Sequence, residues 1–436
     1  MCYNPRGTHG KHDTMVRQPT DAPNTLILTL ATVALALATT AGRADADDWP
    51  QWLGPTRDGV SAETGWRASF DANGPARLWE TRVGLGYSSV AVVSGRVYTL
   101  GNTHNTDTVW CLDAETGRVV WKHSYACSAT APRVLIRLYP GTRSTPTVSG
   151  SAVYTFSRDG KLFCLNAADG KQLWSVDVKA RPLGLEVPSW GFACSPLVTD
   201  KWVVLDLGPI VALDKATGKL AWQSKTYAAG YGSPIALRVA GRACIATFHG
   251  PGLTVVDAAD GTEVLQYPFR FLLIENCVTP LVAGDLCFVS AGDSPGGALV
   301  RLTADKAVEV WRSDAMVNLS TNSVVWKGHL YGFHGSALGA KSFRCVELVS
   351  GKRKWNTRSI REGALMVADG KLIAMDGRGE LAIAEATPEA FRPLTRVKVL
   401  TGTCWTVPVL ANSRIYCRNA AGDLVCLDVR PGDARK

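Results

Sequence analysis

Apolar and polar residues alternate in short runs along most of this chain. Residues 151–156 read SAVYTF, and similar runs rich in valine, tyrosine and phenylalanine recur at regular intervals, separated by glycine- and aspartate-containing turns. A period of two with β-branched and aromatic residues is typical of strands that bury one face. The pattern therefore predicts an all-β protein built from many short strands.

The runs belong to a longer repeat, and most copies of it end in a turn and a tryptophan at a constant spacing. An Asp-x-x-x-Gly turn occurs at residues 113–117, 214–218 and 257–261, with close variants at 166–170 and 347–351. In four of these five copies a tryptophan follows the glycine by four residues, and Leu265 takes its place in the copy at 257–261. We interpret each copy as a tight hairpin followed by an outer strand, with the aspartate bonding across the turn and the glycine at positive φ.

Eight copies of the full repeat can be traced. They cover residues 88–121, 144–174, 195–222, 233–265, 279–311, 323–355, 363–391 and 407–428. Repeats of roughly 40 residues with four strands each are typical of β-propeller blades. The fifth copy lacks the Asp-Gly turn but retains Trp311, and the seventh is the most degenerate and is expected to end near Phe391.

The two ends of the repeat array complement each other. The eighth copy reaches its turn at residues 428–432 and the sequence stops at Lys436, before the next tryptophan, whereas a spare outer-strand copy with Trp79 stands at residues 77–80. This arrangement predicts a ring. We expect residues 77–432 to form an eight-bladed β-propeller of four-stranded antiparallel blades, closed by the N-terminal strand, which leaves no exposed edge at the seam.

The first 46 residues are typical of a signal peptide. An apolar run at residues 26–38 follows Arg17 and precedes Ala44-Asp45-Ala46, and it is too short for a comfortable membrane span. Met15 is a candidate for the true start. No cysteine follows the run before Cys111, so a lipid anchor is not expected. We expect residues 47–76 to be a lead-in and the mature protein to be exported, periplasmic or extracellular, and soluble.

Charge and cysteine content narrow the function classes. The net charge is +9, but the basic residues are scattered, so we expect a solvated surface and no nucleic-acid binding. Cys111, Cys164, Cys345 and Cys426 occupy one repeat position in different blades, which predicts buried thiols and not a disulfide framework. His249 and His334 also occupy equivalent positions, and a shared metal site is not expected.

The segments that precede the first strand of each blade carry the candidate site. If they all lie on one face, a ring of eight side chains surrounds the channel mouth: Tyr87, Arg143, Trp190, Tyr231, Asn276, Asn322, Glu362 and Trp405. Such a ring could stack a flat ligand and hold an anion with Arg143, or it could only seal the mouth. The longer segments at residues 122–142 and 179–188 are expected to form walls beside it.

Two stretches resemble a known family. Residues 213–222 read LDKATGKLAW, which resembles the pyrroloquinoline-quinone-like β-propeller repeat, and residues 48–61 read DWPQWLGPTRDGVS, which looks like the start of exported single-propeller proteins similar to BamB. The resemblance covers about residues 49–428. Quinoprotein dehydrogenases of this fold hold the quinone on a tryptophan, with calcium, an aspartate base and often a disulfide between adjacent cysteines. This chain has no adjacent cysteine pair and is shorter.

Three functions remain open from the sequence. The leading hypothesis is a non-catalytic binding or scaffold module, expected to be a monomer without cofactor, which binds a protein or peptide of the cell envelope through its loop face, channel mouth or a sheet edge. The alternative is a pyrroloquinoline-quinone-dependent alcohol or sugar dehydrogenase that binds the quinone (PQQ) with calcium and draws its carboxylate from Glu186, Glu275 or Glu362. A small-molecule or glycan binder is the third.

Overall fold

The computed structural model describes residues 47–130, 139–228, 230–269, 276–292, 296–336 and 339–431. All regular elements within these ranges are β-strands, and they form eight separate sheets that follow one another along the chain. Each sheet has four antiparallel strands, and the seventh gains a short fifth strand in parallel. The prediction of an all-β, eight-bladed propeller is confirmed.

The predicted signal peptide at residues 1–46 lies outside the described ranges. Within those ranges, no helix is long and apolar enough to cross a membrane.

The strands are named β1 to β33 in chain order. Two precede the repeats: β1 (Val60–Ser61) and β2 (Arg77–Arg82). Blades one to three consist of β3 (Ala91–Val93), β4 (Arg96–Thr103), β5 (Thr106–Asp113), β6 (Val119–Ala126); β7 (Thr147–Ser149), β8 (Ala152–Phe156), β9 (Lys161–Asn166), β10 (Gln172–Asp177); and β11 (Leu197–Val198), β12 (Trp202–Asp206), β13 (Ile210–Asp214), β14 (Leu220–Gln223). Blades four and five consist of β15 (Ile235–Val239), β16 (Arg242–His249), β17 (Gly252–Asp257), β18 (Glu263–Pro268); and β19 (Leu281–Ala283), β20 (Leu286–Ser290), β21 (Gly297–Leu302), β22 (Ala307–Ser313). Blades six to eight consist of β23 (Val324–Trp326), β24 (His329–His334), β25 (Ser342–Glu347), β26 (Arg353–Thr357); β27 (Gly363–Ala368), β28 (Lys371–Asp376), β29 (Glu380–Glu385), β30 (Pro393–Lys398); and β31 (Val409–Ala411), β32 (Arg414–Arg418), β33 (Asp423–Asp428).

The first strand of each blade is the innermost. Strands β3, β7 and β11 contact one another in succession, as do β19, β23 and β27, so these strands surround the propeller axis. The fourth strand of each blade lies at the outer rim, at the other end of the sheet order. The segments that lead from each outer strand to the next inner strand therefore lie together at one end of the axis, which we call the loop face.

The N-terminal strand closes the ring as predicted. Strand β2 pairs antiparallel with β33 and supplies the outer strand of blade eight, with Trp79 opposite Cys426. Trp79 is buried, and its ring lies 5.9 Å from that of Tyr416 on β32. The N-terminal strand and the last repeat thus form one continuous four-stranded sheet.

Each outer-strand tryptophan packs on the turn of the following blade. The Trp121 ring of blade one covers Gly170, the turn glycine of blade two, and its Nε1 donates to the carbonyl of Ala167 at 2.9 Å. The same contact to a turn glycine recurs for Trp79 on Gly117, Trp174 on Gly218, Trp222 on Gly261 and Trp311 on Gly351. The tryptophan and glycine of the repeat are therefore partners across the gap between blades.

The irregular blades obey the same rule. Blade four carries Leu265 where the tryptophan is expected, and blade five, which would receive that tryptophan, has no Asp-Gly turn. The missing tryptophan and the missing turn therefore face the same gap.

Blade seven corrects one prediction. Its outer strand is β30 (Pro393–Lys398), so the blade does not end near Phe391. Phe391 precedes that strand and packs on Phe343 and Trp355 of blade six. Thr395 occupies the position of the tryptophan, because it pairs with Ile383 as Trp121 pairs with Cys111. Its hydroxyl donates to the Ala68 carbonyl of the lead-in, so the lead-in fills this gap.

A belt of five hydrogen bonds connects the inner ends of the first six blades. The backbone N–H of one small residue donates to the side-chain oxygen of its counterpart in the next blade: Ser89 to Thr145, Thr145 to Ser195, Ser195 to Ser233, Ser233 to Thr279, and Thr279 to Asn322. These residues are buried, so each bond satisfies a backbone donor that water does not reach. This is the physical reason for the small residue that opens the repeat.

The lead-in covers the end of the axis opposite the loop face. Trp49 pairs with Val92 of blade one, Pro50 accepts from Val148 of blade two, and Trp52 Nε1 donates to Thr279 of blade five. Arg57 is buried and donates to the carbonyls of Pro196 and Pro234 in blades three and four.

The lead-in then reaches the remaining blades. Gly59 lies against Val324 of blade six, β1 pairs with β27 of blade seven, and the Glu63 carboxylate accepts the backbone N–H groups of Asn412 and Ser413 in blade eight. A single segment thus contacts all eight blades.

The cysteines are buried thiols, as predicted. Eleven cysteines of the described residues are free, and ten of them are buried. Cys111, Cys164, Cys345 and Cys426 each pair with a tyrosine on one neighbouring strand and a tryptophan on the other. Burial raises the pKa of all four thiols, to about 11 for Cys111, Cys164 and Cys345 and about 12 for Cys426.

Candidate functional site

Four aromatic side chains cluster on the loop face. Tyr87 stacks on Trp405 with ring centroids 6.0 Å apart and an interplanar angle of 24°. Tyr139 lies between them and Trp190, at 6.5 Å from Tyr87, 5.6 Å from Trp405 and 6.4 Å from Trp190. Because these residues come from the segments that enter blades one, two, three and eight, only ring closure brings them together.

Two arginines lie beside the aromatic cluster. Arg143 donates to the carbonyls of Trp190 at 2.9 Å and Tyr139 at 3.4 Å. Arg158, which is 4% exposed, donates to the same two carbonyls and to that of Ala129. The guanidinium groups therefore share acceptors, and no carboxylate of the described residues forms an ion pair with either.

Burial is the main influence on the pKa values of this group. Burial lowers the pKa of Arg143. Burial, and secondly repulsion from Arg143, lowers the pKa of Arg158 to about 10. Burial also raises the pKa of the Tyr87 hydroxyl, against the smaller effect of Arg143. Both arginines stay cationic at neutral pH, so the mouth carries two positive charges that form no ion pair with a described carboxylate.

Tyr231 joins this group, whereas the two asparagines of the predicted ring are structural. The Trp190 N–H donates to the Tyr231 hydroxyl at 3.4 Å. Asn276 is buried and donates to the carbonyl of His249, and Asn322 is buried in the hydrogen-bond belt with both amide atoms directed at Thr279. Their side chains hold the connecting segments together and are not available at the surface.

Glu362 lies at the edge of the mouth. It forms an ion pair with Lys341, and its side chain and the Trp405 indole nitrogen both approach Gly377. The structure thus brings Tyr87, Arg143, Trp190, Tyr231 and Trp405 close together and places Glu362 beside them. Their role in binding a ligand stays a prediction.

The sequence reasoning missed Tyr139 and Arg158. Tyr139 belongs to the segment at residues 122–142 that was expected to form a wall, and the Tyr-Pro-Gly sequence just before blade two was the available signal. Arg158 follows β8 in the turn between the second and third strands of blade two, outside the segments that precede the first strands. Of the carboxylates considered for a quinone site, Glu275 lies outside the described residues, and Glu186 is exposed.

Each of the two equivalent histidines lies among protein groups that lower its pKa. His249 is buried against the Tyr227 ring at 4.2 Å, and burial lowers its pKa to about 4. His334 Nδ1 accepts the N–H of Val317, and burial likewise lowers its pKa to about 4. Across the part of the chain that the structure describes, no group of three or more histidine, cysteine or acidic residues could hold a metal ion.

The sequence matches a known protein family over most of its length. The family described as outer membrane protein assembly factor BamB, a family of PQQ-repeat propellers, matches residues 63–240, 124–271 and 206–433. The chain belongs to this family. The resemblance seen in the repeat is thereby confirmed, whereas residues 48–61 precede the matched range and their resemblance stays a prediction.

Solved structures of two kinds share the fold of this BamB-family chain. BamB from Moraxella catarrhalis is 16% identical, with a TM-score of 0.60 over 81% of this chain and 99% of that chain. Quinohemoprotein alcohol dehydrogenase from Comamonas testosteroni is 12% identical, with a TM-score of 0.64 over 89% of this chain and 81% of that chain. At these identities the likeness is one of fold alone.

One characterised relative is more similar in sequence over a limited stretch. Quinohemoprotein alcohol dehydrogenase ADH-IIG from Pseudomonas putida is 30% identical over 143 residues, which is 31% of this BamB-family chain. The match spans only 19% of the length of that enzyme.

Proposed function

We propose that this BamB-family propeller is an exported, non-catalytic binding module that holds a protein partner of the cell envelope at the mouth of its loop face. The observation that carries the proposal is the pair Arg143 and Arg158, which share two backbone carbonyls, lie beside four aromatic rings and have no described carboxylate partner. Arginine, tyrosine and tryptophan are the residue types that dominate binding energy at protein interfaces.

The mouth is built for surface contact and not for passage along the axis. The lead-in covers the opposite end, with Trp49, Leu53 and Arg57 each no more than 2% exposed. A partner therefore approaches from the loop face alone, where it meets aromatic faces and the charge of Arg143. The chemistry that complements this surface is an acidic side chain or a chain terminus next to an apolar or aromatic one.

Site-specific photocrosslinking in the host envelope tests the proposal. A crosslinker at Ser189, next to Trp190, is expected to trap one discrete partner, whereas the same crosslinker at Lys219, in an exposed turn of blade three away from the mouth, is not. Arg143→Ala with Trp190→Ala is expected to reduce the Ser189 product by at least tenfold. Equal products from both positions, or a product that the double variant leaves unchanged, would contradict a loop-face site.

A quinone-dependent dehydrogenase is the second candidate, and the sequence match to the Pseudomonas putida enzyme favours it. The arginines and aromatic rings suit a flat ligand that bears carboxylates. Two other features do not fit. Tyr87 and Trp405 are 6.0 Å apart, whereas a flat ligand between two rings requires roughly 7 Å, twice a van der Waals contact. The described residues also offer no group of three or more acidic, histidine or cysteine side chains that could hold calcium.

Calorimetric titration with pyrroloquinoline quinone, with and without calcium, separates the two candidates. The binding module is expected to show no calcium-dependent heat. Tight binding that requires calcium and is lost in Trp190→Ala would instead support the dehydrogenase, and oxidation of alcohols or sugars with an artificial acceptor would then be measured.

A further inference from the structure

A second cationic surface lies on the loop face, beside the mouth. Two neighbouring cavities of about 400 Å³ and 540 Å³ open there between blades five, six and seven. Both are lined by Arg358 and by Gly339 and Ala340, so they form one continuous trough. Glu362 lines its second cavity and borders Trp405 of the mouth.

The trough is rich in hydrogen-bond donors. Its lining includes Lys341, Arg344, Arg358, Arg361 and Arg378, against the three carboxylates of Asp314, Glu362 and Asp376. Glu362 forms an ion pair with Lys341, and the Asp376 carboxylate accepts the backbone N–H of Arg378. Neither Arg358 nor Arg378 has a side-chain ion pair or hydrogen bond to another described residue, and both are exposed.

Arg344 and His334 give the first cavity fixed donors. Arg344 Nη1 donates to the carbonyls of Asp314 and Ala315, and Nε donates to the side chain of Asn356, so its guanidinium is held in place without a carboxylate bond. Burial and repulsion from Arg353 lower its pKa to about 10, so it remains charged at neutral pH. Because His334 Nδ1 accepts the Val317 N–H, the ring proton lies on Nε2, which is a donor.

We propose that this trough docks an acidic, extended segment of a protein partner. The proposal rests on the proposed function and specifies the chemistry of its partner. Two cavities joined at Arg358 suit a linear chain with at least two separated carboxylates, because a single small anion would occupy only part of one cavity. Continuity with the mouth through Glu362 lets one segment contact both surfaces.

Fluorescence anisotropy with labelled octaglutamate tests the trough on the purified full chain. We expect binding that weakens as sodium chloride rises from about 20 to 150 mM, since the pairs are exposed and screened. Arg358→Glu with Arg378→Glu is expected to weaken binding at least tenfold. Arg118→Glu with Lys219→Glu, which changes the net charge equally at exposed turns of blades one and three, is expected to weaken it less than threefold.

The outcomes that overturn the proposal are specific. Octaglutamate that binds no better than octaserine, or equal losses in the two double variants, would reduce the trough to general surface charge. Full displacement by 1 mM phosphate at constant ionic strength would indicate a small-anion site instead of a docking surface. The anisotropy measurement uses purified components, so its result does not depend on photocrosslinking in the envelope. A negative photocrosslinking result would overturn the proposed function and leave the test of the trough in place.

Discussion

At the scale of single residues, the repeat is a set of partners that meet across the gaps between blades. The tryptophan and the turn glycine stand in one sequence motif, but the glycine under each tryptophan belongs to the next blade. A Cβ at Gly170 would lie 2.5 Å from the Trp121 ring, and the residue has φ of +72°. The glycine is therefore required twice, by its backbone conformation and by the ring above it.

Gly170→Ala is expected to cost more than the same change at Gly150. Gly150 has φ of +60° with open space around its Cβ position, so its substitution measures backbone strain alone. We expect about 1 kcal/mol at Gly150 and about 2 kcal/mol more at Gly170, from urea unfolding. In a Trp121→Ala background the two glycine substitutions should cost the same amount. A persistent difference there would show that the ring is not the cause.

Buried polar atoms collect in the gap between blades three and four. Val204, Ile245 and Val256 pack together in this gap. Asp206, Thr247 and Thr254 each lie two positions from one of them on the same strand and so face the same way. Asp206 Oδ2 and the two threonine hydroxyls are buried without a hydrogen-bond partner among the described residues. Burial raises the pKa of Asp206 to about 7.

Asp206→Asn is expected to stabilise the protein at high pH. The folded pKa lies above the unfolded value, so the folded state holds a proton that the unfolded state releases, and stability falls as pH rises from about 4 through 7. At pH 8 the free energy of unfolding of the variant, measured with urea, should exceed that of the parent by roughly 1–4 kcal/mol. Near pH 4 the two should not differ.

Some loss of stability with rising pH should remain, because burial also raises the pKa of Asp107 to about 6. Asp200→Asn, at an exposed turn, serves as the control and should leave the curve unchanged. A variant that is less stable than the parent at pH 8 would show that the carboxylate is compensated in the fold.

At the scale of elements, closure depends on one strand. Strand β2 is the outer strand of blade eight although it comes from the N-terminal side of the chain, and without it β33 would be an unpaired edge. Trp79 ties β2 to the first blade, because its ring covers Gly117 and its Nε1 donates to the Ala114 carbonyl at 3.0 Å. The seam is thus held on both sides.

Trp79→Ala is expected to loosen the seam specifically. It and Trp174→Ala remove equivalent contacts, so each should lower the free energy of unfolding by about 3–5 kcal/mol. The side chains of Arg77 and Arg82 on β2 are already exposed, but paired strands resist proteases, so only Trp79→Ala should allow trypsin to cleave there under native conditions. Mass spectrometry of the first fragments detects this cleavage. Cleavage at these sites in both variants would mean that closure is no weaker than any other gap.

At the scale of the whole molecule, the lead-in couples blades that are far apart in sequence. It contacts all eight blades, and its buried Arg57 supplies the bonds to blades three and four. Burial lowers the pKa of Arg57 to about 9, but the charge is retained at neutral pH and is satisfied by carbonyl oxygens. The ring therefore has a plug that resists the relative movement of its blades.

Arg57→Met is expected to destabilise the ring as a unit. The change leaves the Pro234 carbonyl without its Arg57 donor and the Pro196 carbonyl with the Thr147 hydroxyl alone. We expect a cost of about 2–5 kcal/mol, and calorimetry should show one transition at lower temperature. Arg67→Met, an exposed guanidinium over Phe70 in the same lead-in, should change stability by less than about 0.5 kcal/mol. Two separate transitions for Arg57→Met would indicate that the lead-in, and not the closed ring, makes unfolding cooperative.

The candidate site could be predicted only in part. The composition of the connecting segments indicated Tyr87, Arg143, Trp190 and Trp405, and the topology of a propeller places such segments on one face. The sequence could not distinguish these residues from Asn276 and Asn322. The two asparagines occupy equivalent positions, but their side chains form hydrogen bonds inside the ring. Nor could it indicate Arg158, whose place beside Arg143 depends on how two loops of different strands meet.

The sequence by itself determined the repeat, the number of blades and the closing strand, because periodicity, turns and outer-strand tryptophans are local features that recur in register. The tertiary structure decided what occupies each gap and each end of the axis. Thr395 in place of a tryptophan is intelligible only once the lead-in lies against it, and the lead-in reaches every blade only because the ring is closed. Such contacts join residues more than 300 positions apart, and no local pattern records them.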